Sequence, residues 1–198
     1  MIEKWENMKD KIYPKIINHK SNLKMLKEVP YIEWMDLAVV FVYSFGKDMR
    51  SPKNIDIRSK HVKAWGIDCQ TLYKKAVQNA VRDMPAQVIN TRKTMALLMQ
   101  DDQMPDIYIL TNNNVINGAT CLLYPGLLKK IAREKIKGDF YIIPCDVHEC
   151  ILVPANEIYS KQEMQEALKE INENYAHPRE RLSDEVYRYN CKTESITY

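Results

Sequence analysis

The chain has 198 residues, of which 45% are hydrophobic and 28% charged, with a formal net charge of +3 and only 5 glycines and 9 prolines. This composition excludes disordered, collagen-like and low-complexity proteins, which are poorer in apolar residues or far richer in glycine and proline. The longest unbroken apolar run, Leu37 to Tyr43, is far shorter than the roughly 20 residues of a membrane-spanning helix, so we expect a globular protein without a membrane partner.

The N-terminus and the cysteines indicate a reducing compartment. The opening residues lack the apolar core of a signal peptide. The cysteine count is odd and contains no C-x-x-C pair, a pattern typical of reduced thiols. We therefore expect a cytoplasmic protein whose thiols are free. The cysteines are Cys69, Cys121, Cys145, Cys150 and Cys191.

The spacing of apolar residues predicts a helix over residues 2–29. Pro14 removes a backbone hydrogen bond within it, so we expect a kink at that point. Residues 1–29 are thus predicted to form a helical arm packed on a single domain that spans 1–198. The apolar stripe consists of Ile2, Trp5, Met8, Ile12 and Ile16.

The run from Asp36 to Phe45 is β-branched and aromatic without alternation. Such continuity is typical of a strand that is buried on both faces. We predict that residues 36–45 form the central strand of the sheet.

Two helices follow, with recognisable ends. Ser59 is predicted to cap the first, which runs to Trp65, where Gly66 supplies a left-handed C-terminal residue that ends the helix. Asp68 caps the second, which Pro85 ends. A further short helix is predicted over 91–99.

The rest of the chain alternates between strands and helices without a regular βαβ rhythm. A helix over 118–137 is predicted, broken at Pro125-Gly126, and an amphipathic helix over 161–173. Two adjacent strand pairs joined by turns are predicted to form hairpins, namely 140–143 with 149–153 and, as a closing hairpin, 186–189 with 195–197. This order favours an α+β fold with a mainly antiparallel mixed sheet flanked by helices. The remaining predicted strands are 55–57, 107–110, 140–143, 149–153, 186–189 and 195–197.

Four stretches resemble a family of uncharacterised proteins of clostridia-type anaerobic gut bacteria and their mobile elements. The resemblance extends from about residue 9 to residue 189 and implies a cytoplasmic bacterial protein with no established activity and no catalytic residues to transfer. The stretches are EVPYIEWMDLAVVF (28–41), WGIDCQTLYKKAVQNA (65–80), INGATCLLYPGLLKKIA (116–132) and GDFYIIPCDVHECILVP (138–154).

The polar members of these stretches are the candidate site residues. His148 could serve as a general base, since imidazole titrates near neutrality. Its neighbour Glu149 should point to the opposite face of the predicted strand, so the pair should not act on one substrate. The alternative is that both residues are structural. Asn117, Gly118 and Tyr124 are candidate binding residues in the same region.

Metal and cofactor signatures are weak. Cys145, His148 and Cys150 are metal-ligand types, but no second pair with zinc-binding spacing accompanies them. Neither phosphate-binding glycine motif occurs. We therefore predict no metal and no cofactor.

The two halves of the chain differ in charge, with a net +8 over residues 1–99 and a net −5 over residues 100–198. Lys4, Lys11 and Lys15 give the predicted N-terminal helix a basic side. That side is a candidate surface for a protein partner of acidic or mixed charge. Nucleic acid is a second possible partner of the basic half, although no recognised nucleic-acid motif is present.

The leading hypothesis is therefore a non-catalytic bacterial interaction protein, borne by a mobile element and acting on a host macromolecule as a defence antagonist or regulator. The first alternative is an enzyme of unknown reaction with His148 as base and Glu149 beside it. The second is a nucleic-acid binder that uses the basic N-terminal half.

Overall fold

The computed structural model describes residues 2–45, 53–92, 106–155 and 160–198. Four antiparallel strands form the first sheet, and six antiparallel strands form the second. The predicted α+β class is confirmed, although the strands make two sheets where the sequence predicted one.

The first sheet is built around β3 (Leu37–Ser44), which pairs with β1 along its whole length and with β2 and β4 at its two ends. Seven of the eight residues of β3 are buried. The prediction of a central strand buried on both faces is thus confirmed. The other strands are β1 (Ile12–Asn18), β2 (Ile32–Trp34) and β4 (Asn54–Asp56).

The predicted N-terminal helix kinked at Pro14 is wrong, because residues 12–18 form strand β1. Ile12 and Ile16 are four residues apart, and that spacing places two side chains on one face in a helix and in a strand alike. Pro14 lies opposite Phe41 in the ladder, and β1 is an edge strand, where a missing N–H is tolerated. Residues 1–29 are therefore not a helical arm, since β1 belongs to the first sheet.

The second sheet has the spatial order β10-β9-β7-β8-β6-β5. The predicted pairing of 140–143 with 149–153 and the closing hairpin at the C-terminus are confirmed. Its strands are β5 (Ala86–Asn90), β6 (Tyr108–Asn112), β7 (Phe140–Ile143), β8 (Cys150–Pro154), β9 (Tyr187–Asn190) and β10 (Ser195–Thr197).

The predicted helix ends are confirmed at Gly66 and Asp68, whereas Ser59 is the first residue of the third helix and Arg58 occupies its cap position. Gly66 has φ +66° after the third helix, and the Asp68 carboxylate accepts the Thr71 N–H at 2.7 Å at the start of the fourth. The helix predicted over 91–99 lies, from residue 93 onward, outside the described residues. The described helices are α1 (Trp5–Met8), α2 (Leu23–Leu26), α3 (Ser59–Trp65), α4 (Cys69–Asp83), α5 (Leu127–Ile131) and α6 (Lys161–Asn174).

Between Gly118 and Ile136 the chain is not one helix. A 3-10 helix (Gly118–Leu123) precedes α5, and a π-helical turn (Ala132–Ile136) follows it. The predicted break at Pro125-Gly126 is confirmed, with Gly126 at φ +72°.

One hydrophobic core takes side chains from both sheets, among them Ile12 and Phe41 from the first and Leu110 and Tyr187 from the second. Asp36 adds a polar link, because its carboxylate accepts hydrogen bonds from the hydroxyls of Ser183 and Tyr187. The single-domain prediction stays a prediction, and this shared core supports it.

Candidate functional site

His148 lies in a tight turn just before β8. The Asp146 carboxylate accepts the backbone N–H groups of His148 at 2.7 Å and of Glu149 at 3.1 Å. Because both residues precede the strand, which begins at Cys150, the predicted alternation of their side chains across a strand does not apply. Burial raises the pKa of Glu149, and the nearby Asp146 adds to that rise.

Both ring nitrogens of His148 face protein groups. Nδ1 accepts the Asn117 N–H at 3.3 Å, and Nε2 lies 3.6 Å from a carboxylate oxygen of Glu180. Because the Nδ1 lone pair accepts this hydrogen bond, Nδ1 is not free to take a proton from a substrate. A general base needs an unprotonated nitrogen directed at its substrate. The geometry therefore favours the structural interpretation of His148 over the catalytic one.

Gly118 packs closely against the turn that contains His148. A Cβ added there would lie 2.2 Å from the His148 carbonyl oxygen and 2.2 Å from the Thr111 hydroxyl oxygen. The same hydroxyl donates to the His148 carbonyl at 2.8 Å. The structure thus brings Asn117, Gly118 and His148 together, and it uses Gly118 as a spacer between backbone segments.

Tyr124 lies in the hydrophobic core, apart from Asn117, Gly118 and His148. Its side chain is buried, and its single hydroxyl proton is shared between the carbonyl oxygens of Met84, at 2.8 Å, and Ala80, at 3.2 Å. The last carbonyls of a helix lack partners within the helix. Tyr124 therefore completes the C-terminal end of α4, which leaves its hydroxyl occupied.

Lys4, Lys11 and Lys15 do not share a helix face, because the predicted helix does not form. Lys4 precedes α1, Lys11 ends a 3-10 turn, and Lys15 lies half-buried in edge strand β1 opposite Val40. A lysine on an edge strand is a common protection against unwanted strand pairing. These three cations are spread over different elements.

The cysteines near His148 are buried thiols. Burial raises the pKa of Cys121 and of Cys145 to about 12, and it raises the pKa of Cys150 well above its usual value. Only the thiolate is a strong nucleophile or metal ligand. Across the described ranges, no group of three or more His, Cys, Asp and Glu side chains is placed to hold a metal ion.

A surface that the sequence reasoning missed lies at the end of α5. A cavity of about 420 Å³ is lined by Lys129, Ala132, Arg133, Lys137, Gly138 and Cys191, and we call it the basic cleft. Three of its six residues are cations, and none is a carboxylate. The local sequence signal is clear, since residues 127–138 hold five Lys and Arg against one Glu.

The local fold explains how the cations reach this cleft. Leu128, Ile131 and Ala132 bury one face of the helix, which leaves the lysines and Arg133 outside. Lys137 closes the π-helical turn in a left-handed conformation, with φ 62° and ψ 37°, and its N–H donates to the Ala132 carbonyl.

Nearby carboxylates are already engaged. The Asp139 carboxylate accepts the Cys191 N–H and an Arg188 Nη2 group, each at 2.9 Å. Glu194 lies 2.5 Å from the Lys129 ammonium. The hydrogen bond with Cys191 holds the pKa of Asp139 below its usual value. Two of the three cations of the cleft are thus ion-paired at its rim, Lys129 with Glu194 and Arg133 with Glu134 at 2.6 Å, while the described residues include no ion-pair partner for Lys137.

Comparison with protein-family models matches residues 1–191 to a family of unknown function, DUF5688. The chain belongs to that family. No curated protein and no solved structure matches it. Membership of DUF5688 thus agrees with the resemblance to uncharacterised proteins and assigns no activity to the site. Among the helices within the described parts of the chain, none has the length and apolar character needed to cross a bilayer.

Proposed function

We propose that this DUF5688 protein is a non-catalytic interaction protein that binds an acidic partner through the basic cleft. The observation that carries the proposal is the convergence of Lys129, Arg133 and Lys137 on one concave surface without a lining carboxylate. Clefts lined by charges of one sign concentrate ligands of the opposite sign and accelerate their association.

A protein partner fits the cleft better than single-stranded nucleic acid does. Proteins that bind single strands combine a basic groove with aromatic side chains on which the bases stack. None of the residues lining the cleft is aromatic. Methylene stems of the lysines and Ala132 instead provide apolar surface between the charges, which suits an acidic peptide segment.

The biological setting is part of the proposal and rests on the resemblance to clostridial and mobile-element proteins. In that setting the protein would act in the bacterial cytoplasm on a host macromolecule, as a regulator or a defence antagonist. What supports action by binding at this point is that both ring nitrogens of His148 face protein groups, Asn117 and Glu180.

The test is a fluorescence-anisotropy titration with a labelled oligoglutamate peptide. The variant replaces Lys129, Arg133 and Lys137 by Glu. We expect its affinity to fall by at least about tenfold, which corresponds to about 1.4 kcal/mol of binding free energy. The difference should shrink as salt is added, because exposed charges are screened over about 10 Å at 0.1 M.

The matched control makes the same charge change elsewhere, with Glu in place of Lys4, Lys11 and Lys15. We expect this control to bind the peptide like the wild type. Equal losses in both variants would show binding by net charge alone and would refute a specific cleft. Tighter binding of a single-stranded oligonucleotide than of the peptide would instead support the nucleic-acid alternative.

A further inference from the structure

Strand β5 forms one edge of the second sheet, since it pairs only with β6 among the described strands. The phase of this ladder is fixed at its two ends. The Thr91 N–H donates to the Ile107 carbonyl at 2.8 Å, and the Asn113 N–H donates to the Pro85 carbonyl at 3.1 Å. Residues along an antiparallel ladder alternate between those that exchange hydrogen bonds with the partner strand and those that do not. The residues of β5 whose backbone groups point away from β6 are therefore Ala86, Val88 and Asn90.

This outer edge lacks the usual protection against pairing. Edge strands commonly carry proline, lysine or other charged residues, which discourage the addition of a further strand. Edge strand β1 has Pro14 and Lys15, whereas β5 has the sequence Ala-Gln-Val-Ile-Asn. Within the described ranges, the outward backbone groups of Ala86 and Val88 have no hydrogen-bond partner. The edge of β5 is therefore able to pair with another strand.

A pocket beside this edge is placed to receive side chains of such a strand. Its volume is about 250 Å³, and its apolar lining comes from Ala86 and Val88 of β5 and from Leu127 and Ile131 of α5. Ala86 and Val88 are alternate residues, so their side chains project from one face of the strand. Residues that lie opposite them on an added strand project from that same face. Every second side chain of an added strand would therefore face the pocket.

The charges of the pocket indicate the composition of that strand. Lys130 and Lys135 contribute two cations to the lining. The lining carboxylate, Glu134, lies 2.6 Å from the Arg133 guanidinium. Neither Lys130 nor Lys135 forms an ion pair with a described residue. The pocket therefore complements an aliphatic side chain that has carboxylates close to it.

We propose that β5 binds an extended segment of a partner protein as an additional strand, with acidic and aliphatic side chains on the face toward the pocket. An aliphatic side chain would pack between Val88 and Ile131, and a glutamate two residues away would meet Lys130 or Lys135. In binding by strand addition, backbone hydrogen bonds supply affinity and the pockets for alternate side chains supply specificity. This site shares no lining residue with the basic cleft, so each proposal can fail without the other.

The test is a fluorescence-anisotropy titration with the labelled peptide Thr-Glu-Thr-Val-Thr-Glu-Thr, whose Glu and Val side chains share one face of a strand. Two further versions carry three backbone N-methyl groups each, one at the Glu and Val residues and the other at the last three Thr residues. An added strand bonds its neighbour through every second residue. One methylated version should therefore bind at least about tenfold more weakly than the unmodified peptide, and the other should bind like it.

Three results would overturn the proposal. The first is no saturable binding of the unmodified peptide up to ~1 mM. The second is equal binding of the two methylated versions, because attraction by charge alone, in the basic cleft or elsewhere, does not depend on which residues are methylated. The third is undiminished binding of a peptide with Lys in place of Glu, since the proposed pocket selects carboxylates.

A variant pair tests the edge from the side of the protein. Val88→Pro removes the outward N–H of residue 88 and spares the ladder with β6, and proline is tolerated where its nitrogen faces away from the sheet. The matched control, Val88→Ala, shortens the same side chain and keeps the N–H. We expect Val88→Pro to bind the peptide at least about tenfold more weakly than Val88→Ala, and equal binding would refute the site. If Val88→Pro fails to fold, the methylated peptides still decide. A dimer in sedimentation velocity that Val88→Pro dissociates would assign the edge to a second copy of the chain and would overturn the proposed partner.

Discussion

Replacing Lys137 by Gly should separate the backbone requirement of the basic cleft from its charge. Lys137 is left-handed, with φ 62° and ψ 37°, at the end of the π-helical turn. For a residue with a Cβ, this conformation costs about 1–2 kcal/mol, and glycine avoids that cost. Glycine is the usual residue at such helix ends, and here Lys occupies the position.

The magnitude follows from opposing effects. Glycine loses about 0.5–1 kcal/mol because its unfolded chain is more flexible. It also lacks the favourable interaction of a cation with the helix C-terminus, about 0.3 kcal/mol at an exposed site. The net expectation for Lys137→Gly is a small gain in unfolding free energy, about 0.5 kcal/mol, which for a chain of this length raises Tm by about 1–2 °C.

Lys137→Ala is the matched comparison, because it removes the same charge and keeps the left-handed strain. The Gly variant should therefore be more stable than the Ala variant by about 1 kcal/mol. Urea unfolding followed by fluorescence of the 3 tryptophans measures the difference. If the Ala variant is at least as stable as the Gly variant, the left-handed conformation of residue 137 is wrong.

Peptide binding completes the test. Both variants lack the ammonium group, so both should bind the oligoglutamate peptide more weakly than the wild type and to the same extent. A gain in stability combined with a loss in binding would indicate that Lys137 is retained for the cleft. Unchanged binding in both variants would remove Lys137 from the proposed site.

Three further predictions concern the rest of the fold. Gly118→Ala should lower the unfolding free energy by about 2 kcal/mol or more, since the added Cβ would collide with backbone atoms. The control is Gly138→Ala, which should change thermal stability little because the space around its Cβ is open. In a native-state assay with Ellman's reagent, half-exposed Cys191 should react before the buried thiols of Cys121, Cys145 and Cys150. Early reaction of a buried thiol would contradict the assigned core. Burial and the hydrogen bond to Asp83 raise the pKa of Tyr13 from its usual 10 to about 12 in the folded protein. The stabilisation that neutral Tyr13 contributes is therefore complete below pH 10 and is lost as the pH rises toward 12. Tyr13→Phe should lack this alkaline loss in a urea-unfolding series across pH 9–11, and an identical decline in both proteins would argue against the hydrogen bond.

The candidate sites were only partly predictable. His148 was recognisable as a polar residue beside a strand, but its partners Asn117 and Glu180 are 31 and 32 residues away along the chain, and only the fold brings them together. The basic cleft had a local signal in the five cations of residues 127–138, which the net negative charge of that half of the chain concealed.

Local physical chemistry determined much of this protein directly from its sequence. The continuous apolar run of β3, the left-handed stop at Gly66 and the cap at Asp68 each depend on residues close in the chain, and the structure confirms all three. These signals are strong because side-chain burial and backbone capping act within a few residues.

Tertiary structure decided the N-terminal segment and the surfaces. The four-residue spacing of Ile12 and Ile16 is compatible with a helix and with a strand. The segment forms a strand because its backbone can form hydrogen bonds with one edge of β3. Pairing of this kind depends on a partner about 25 residues along the chain, which local spacing does not encode. The basic cleft is completed in a similar way, because Cys191 lies beside the segment 129–138 only in the folded chain.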